Sequence, residues 1–165
     1  MAKSKSKSSA GFLLLTLVAL LLMASAFLFF LGDGVVTQFK LVEEKVIITG
    51  YDLIFKGQGI KEAVVPALLV AFIFLCLGSF GILLSMVLTK EIKARSMILL
   101  ISAGFLICGG VLFFFAREFA GLVEDPNAII SPLKFSLGYG IIIGAICSIA
   151  SGALAGITGV ISLFK

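Results

Sequence analysis

Long apolar stretches separated by short polar ones set the rhythm of this chain. Four runs are long enough to cross a bilayer as helices: residues 12–31, 65–89, 97–116 and 133–164. A helix rises about 1.5 Å per residue, so roughly 20 apolar residues span a hydrocarbon core of about 30 Å. No run has a charged residue in its interior, and Lys134 stands at one end of the fourth. Leu and Phe each favour insertion by roughly half a kcal/mol, which gives the first run alone roughly 5 kcal/mol. Pro66 near the start of the second run, and Ser131-Pro132 before the fourth, are helix-start signals. The fourth run exceeds what a bilayer requires and is expected to tilt or to project beyond it.

Between the first two runs the period changes. Val35, Thr37, Phe39 and Leu41 alternate with Val36, Gln38, Lys40 and Val42. After Glu43-Glu44-Lys45, the series Ile47, Thr49, Tyr51, Leu53 and Phe55 keeps the same period of two. This alternation predicts two strands in an antiparallel hairpin, with Gly57-Gln58-Gly59 as the turn into the second helix. A lone hairpin is marginal in water, so its apolar face needs cover. Phe119, Leu122, Val123, Ile129 and Ile130 in the second outer segment offer that cover; a partner docking by strand addition is the other option. Phe39, Leu41, Ile47, Tyr51, Leu53 and Phe55 therefore form a candidate outer-loop interaction surface.

The expected fold is an all-α membrane protein, one transmembrane domain over residues 1–165. It is a four-helix transmembrane bundle with a small extracellular β-hairpin between helices 1 and 2, and with outer loops at 32–64 and 117–132. Composition agrees: 61% of residues are hydrophobic and 13% charged, whereas a soluble domain carries roughly a quarter charged residues. The first run has a rival reading, since Lys3, Lys5 and Lys7 precede it and Ala24-Ser25-Ala26 resembles a signal-peptidase site. Phe27 to Leu31 continue the apolar run past that site, which favours an uncleaved anchor. Residues 3–9 are polar and are expected to be an irregular tail.

Basic residues flanking the spans set the orientation. One side holds Lys3, Lys5, Lys7, Lys90, Lys93, Arg95 and Lys165 against the single acid Glu91. The other holds Lys40, Lys45, Lys56, Lys61, Arg117 and Lys134 against eight acids. The expected location is the cell membrane, multi-pass, with both termini cytoplasmic. The three N-terminal lysines sit beside the membrane, where each attracts anionic lipid by about 1 kcal/mol.

Helices in lipid associate where small residues let backbones come close. The fourth run carries Gly140, Gly144, Ser148, Gly152 and Gly156 at a spacing of four, a candidate helix-packing interface. It would serve either packing within one bundle or contact with a second copy or another protein.

One span, a β-bearing outer loop and three further spans resemble the topology of claudin-type proteins. The loop is shorter here and lacks the Trp-containing signature and paired cysteines of that family, so no claudin residue is carried over. The stretch from Thr49 through Gly50, Tyr51, Asp52, Leu53 and Ile54 to Phe55 is similar to a segment of small uncharacterised bacterial four-span membrane proteins. That resemblance implies no activity.

Chemistry is thin. The chain has no His and no Trp, and Cys76, Cys108 and Cys147 fall in three different apolar runs without Cys-x-x-Cys spacing. The intramembrane polar groups are Thr16, Ser25, Ser79, Ser85, Ser102, Ser148, Ser151 and Thr158, expected to bond backbone carbonyls one turn away or to bridge helices. Ser148 and Ser151 have no base beside them to activate a nucleophile. Glu43-Glu44, Glu118 and Glu124-Asp125 lack the spacing of an EF-hand. Gly57-x-Gly59 is too short for a nucleotide loop. Neither cofactor, metal site nor nucleic-acid surface is expected, and the expected partners are membrane lipid and a protein or second copy. The leading functional expectation is a non-enzymatic scaffold or accessory subunit of a larger membrane assembly. The alternatives are a small oligomeric transporter or channel for a neutral or hydrophobic solute, and an enzyme at the outer surface using Asp52, Arg117 and Glu118.

Overall fold

The computed structural model describes residues 2–38, 45–55, 65–87, 92–119 and 134–164. The described elements follow the order α1 (Ala2–Phe29), β1 (Asp33–Gln38), β2 (Lys45–Thr49), α2 (Gly50–Phe55), α3 (Pro66–Val87), α4 (Ile92–Phe114), α5 (Ala116–Phe119), β3 (Lys134–Leu137) and α6 (Tyr139–Leu163). Four of these helices are long and apolar enough to cross a membrane: Gly11–Phe29 within α1, then α3, α4 and α6.

Three of the four differ from the sequence expectation at their starts, and one agrees with it. The polar residues ahead of the first span continue α1 back to Ala2 instead of forming an irregular tail. At 28 residues α1 is about 42 Å long, about two fifths longer than the hydrocarbon core. α3 opens as the proline suggests: Pro66 is its first residue, and Leu69 donates to the Val65 carbonyl at 3.0 Å. α4 begins at Ile92 rather than 97, so Lys93 and Arg95 lie on the helix and not in a connecting loop. α6 starts only at Tyr139, with Gly138 as its N-cap, and Lys134 lies in β3. The described start of the fourth run is thus a strand rather than helix, while Ser131-Pro132 lies outside the described residues.

The spans pack in the order α1, α6, α4, α3, with α6 and α4 in the middle. Small residues allow this. A Cβ on Gly109 of α4 would lie 3.0 Å from the Ala71 carbonyl of α3, and one on Gly110 would lie 3.0 Å from the Ala145 carbonyl of α6. Neighbouring glycines therefore open α4 to a different helix on each side. Met23, Phe30, Leu75, Leu99, Leu106 and Phe113 fill the shared interior.

The sheet has strand order β2-β1-β3, and both pairings are antiparallel. The β1–β2 hairpin matches the alternation in the sequence, although β2 stops at Thr49. Val35 pairs with Ile48 on one side and with Leu137 on the other. Val35 and Ile48 are buried, whereas the neighbouring Ile47 is 52% exposed, so one face meets the bundle and the other faces away. The third strand was expected to be helix; it supplies β1 with a second neighbour. Of the residues expected to cover the sheet, Phe119 is on α5 and partly exposed. Leu122, Val123, Ile129 and Ile130, like the Gly57-Gln58-Gly59 turn, lie outside the described residues.

Candidate functional site

The sheet-bearing end of the bundle is the most elaborated part of the described structure. A helix ends with carbonyls that have no partner within it, and α1 finds them elsewhere. Tyr51 donates its backbone N–H to the Phe30 carbonyl at 3.2 Å and its hydroxyl to the Phe27 carbonyl at 3.2 Å. Gly32 donates to Phe29 at 2.9 Å, Leu31 to Leu28 at 3.1 Å, and Gly50 to Gly32 at 3.2 Å. The start of α2 therefore closes the end of α1.

α2 exists because of its own start. The Thr49 hydroxyl accepts the Asp52 N–H at 3.1 Å and donates to an Asp52 carboxylate oxygen at 2.8 Å. This is a capping pair at the N-cap and N3 positions. It turns the chain from strand to helix at residue 50 and places Gly50, Leu53 and Ile54 on the buried face. The expected strand through Phe55 is corrected accordingly: local capping and a face spaced three and four apart prevail over a period of two. A Cβ on Gly50 would lie 2.8 Å from the Phe30 carbonyl, so glycine is what permits the close approach.

Aromatic rings lock the same junction. Phe72 of α3 stands edge-on to Phe27, Tyr51 and Phe55 at centroid distances of 5.8, 5.9 and 5.4 Å. Phe30 packs on Phe113 of α4 at 4.6 Å. Edge-to-face pairs at these distances contribute about 0.5–1.5 kcal/mol beyond their burial. Burial, and to a lesser degree the Cys76 thiol, pushes the Tyr51 phenol above its ordinary range.

The four described residues of the anticipated outer surface do not share a face. Ile47 is exposed on the outward side of β2, Leu53 is buried, Tyr51 reaches inward between α1 and α3, and Phe55 is half exposed against Phe72. Phe39 and Leu41 lie outside the described residues.

The small residues of α6 also divide. Gly140 and Gly144 face the end of α1, where a Cβ on Gly144 would come 3.1 Å from the Phe30 ring. Ser148 donates to the Leu106 carbonyl of α4 at 2.8 Å, and a Cβ on Gly152 would lie 3.0 Å from the Ala103 carbonyl of α4. Gly156 would gain only an ordinary contact, 3.4 Å from the Ala103 side chain. A spacing of four advances roughly 40° per step around a helix, so the five residues wind from α1 to α4.

The eight hydroxyls singled out from the sequence all bond backbone carbonyls. Six do so one turn back on their own helix: Thr16, Ser25, Ser79, Ser85, Ser102 and Thr158. Ser148 and Ser151 bridge helices, the latter to the Ala19 carbonyl of α1 at 2.7 Å. Among the described residues no three His, Cys, Asp or Glu side chains gather closely enough to hold a metal ion. Cys76, Cys108 and Cys147 are free thiols.

Two signals went unread in the sequence: Thr49-x-x-Asp52 as a capping pair, and Lys134-Phe135-Ser136-Leu137 as a short alternation ending at Gly138. No protein-family model matches the chain, and a search of curated proteins finds no match.

Proposed function

We propose that this chain is a multi-pass protein of the cell membrane that serves as a non-enzymatic scaffold or accessory subunit, binding a protein partner through its sheet-bearing end. The orientation follows the charge distribution, with both termini cytoplasmic and the sheet outside. The observation that carries this reading is the coupling of sheet to bundle. Hydrogen bonds from Gly50 and Tyr51 to the end of α1, and from Gly138 to the Gly34 carbonyl at 2.8 Å, hold the strands against the spans while Ile47 points outward. A platform held in this way presents a fixed surface, and a fixed surface lowers the ordering cost of binding.

The occupied hydroxyls weigh against a polar path through the spans, because such a path needs donors and acceptors that are available to the solute. Gentle purification from the native membrane tests the proposal. A partner is expected to copurify with the wild type and to be lost with Ile47→Lys, a change at an exposed position that leaves the core untouched. A single monomeric species without partner would contradict it.

A further inference from the structure

At the end of the bundle opposite the sheet, three helices converge on one charged side chain. Arg95 lies in the first turn of α4. Its guanidinium carbon sits 3.7 Å from the centroid of the Phe12 ring of α1, and Nη2 donates to the Ser162 hydroxyl on the last turn of α6 at 3.2 Å. Nε is buried and has no partner among the described residues.

A guanidinium carries five N–H donors in a rigid planar fork, and here only one has an acceptor among the described residues. Its cation–π contact with Phe12 fixes the plane of the fork without using a donor. The C-terminal end of α6 favours a cation beside it but offers only a fraction of a charge in return. Lys93 is exposed two residues away, and the three described acids, Asp33, Asp52 and Glu118, all belong to elements of the sheet end. Among the described residues, Arg95 is thus a preorganised cation with donors to spare where the spans leave the bilayer.

We propose that Arg95, seated between Phe12 and Ser162, binds the phosphate of one anionic phospholipid. Arginine matches two phosphate oxygens with parallel N–H donors, which a lysine cannot do. The Phe12 ring of α1 keeps water from one side of the guanidinium, which lowers the local dielectric and strengthens that attraction. Lysines on flexible stems at the same membrane surface would attract anionic lipid diffusely, whereas this seat holds a headgroup in one position. The inference rests on the membrane reading given above.

Native mass spectrometry of the full chain released from mild detergent tests it, with phosphatidylglycerol, phosphatidylcholine and inorganic phosphate as probes. The wild type is expected to retain one phosphatidylglycerol about tenfold more tightly than phosphatidylcholine, and inorganic phosphate should not displace it. Arg95→Gln should weaken retention at least about fivefold, and Lys93→Gln, which removes the same charge, less than about twofold. Equal losses in the two variants would show diffuse attraction and overturn the site. Equal retention of both lipids would overturn it too, as would displacement by free phosphate. The last two measurements use the wild type alone and decide the matter even if Arg95→Gln does not fold. Alkaline carbonate washing of membranes separates the two proposals: a wild type that is extracted defeats the membrane reading, and one that is retained but unselective defeats only the lipid site.

Discussion

Tyr51 uses two donors on the end of α1, and each has a separable consequence. Tyr51→Phe keeps the ring against Phe72 and removes only the hydroxyl bond to the Phe27 carbonyl. A loss of about 1 kcal/mol in unfolding free energy is expected in detergent micelles. The phenol also titrates higher in the fold than in the unfolded chain. Its contribution is therefore complete below pH about 10 and is lost as pH rises further, because the unfolded chain releases the proton first. Alkaline unfolding curves should show this decline in the wild type and a flatter profile in Tyr51→Phe. Gly138 gives the steric counterpart. Its backbone is extended, at φ −74° and ψ 157°, so alanine meets no conformational strain. The added Cβ would instead collide with the Asp33 carbonyl. Gly138→Ala should cost about 1–3 kcal/mol through displaced backbone, read as a lower unfolding midpoint.

Among the elements, α6 distinguishes a packing residue from a bystander. Gly152→Leu forces a side chain against the α4 backbone at Ala103 and should destabilise the fold by about 1–3 kcal/mol or more, read as a lower unfolding midpoint. Gly156→Ala adds a methyl group at ordinary contact distance and should leave stability unchanged or raise it by up to about 1 kcal/mol, since alanine is the better helix former. The sequence shows both glycines with the same spacing and cannot separate them, because a period of four drifts around the helix and the neighbours are set by the packing order. Apolar length does reveal the four long helices, since hydrocarbon thickness imposes it directly. Alternation likewise reveals β1 and β2. It misleads over residues 50–55, where the Thr49–Asp52 capping pair decides the local structure, and it passes unnoticed in β3, four residues at the edge of a longer apolar run. Arg95 reads in the sequence as one more basic residue that sets topology; only the convergence of α1 and α6 on it reveals its setting.

For the whole molecule, the small sheet joins segments that lie far apart in the chain. β3, just ahead of the last span, pairs with β1, just after the first, so the first and last long helices are tied together at the same end that α2 closes. This arrangement places Ile47 at one end of α3 and Lys93 beyond the other, one span apart. Thiol labelling with a membrane-impermeant maleimide tests the account most directly, using chains whose natural cysteines have been replaced. Ile47→Cys should react in intact cells, and Lys93→Cys only after the cells are permeabilised. Equal labelling of both positions in intact cells, or the reverse order, would contradict it.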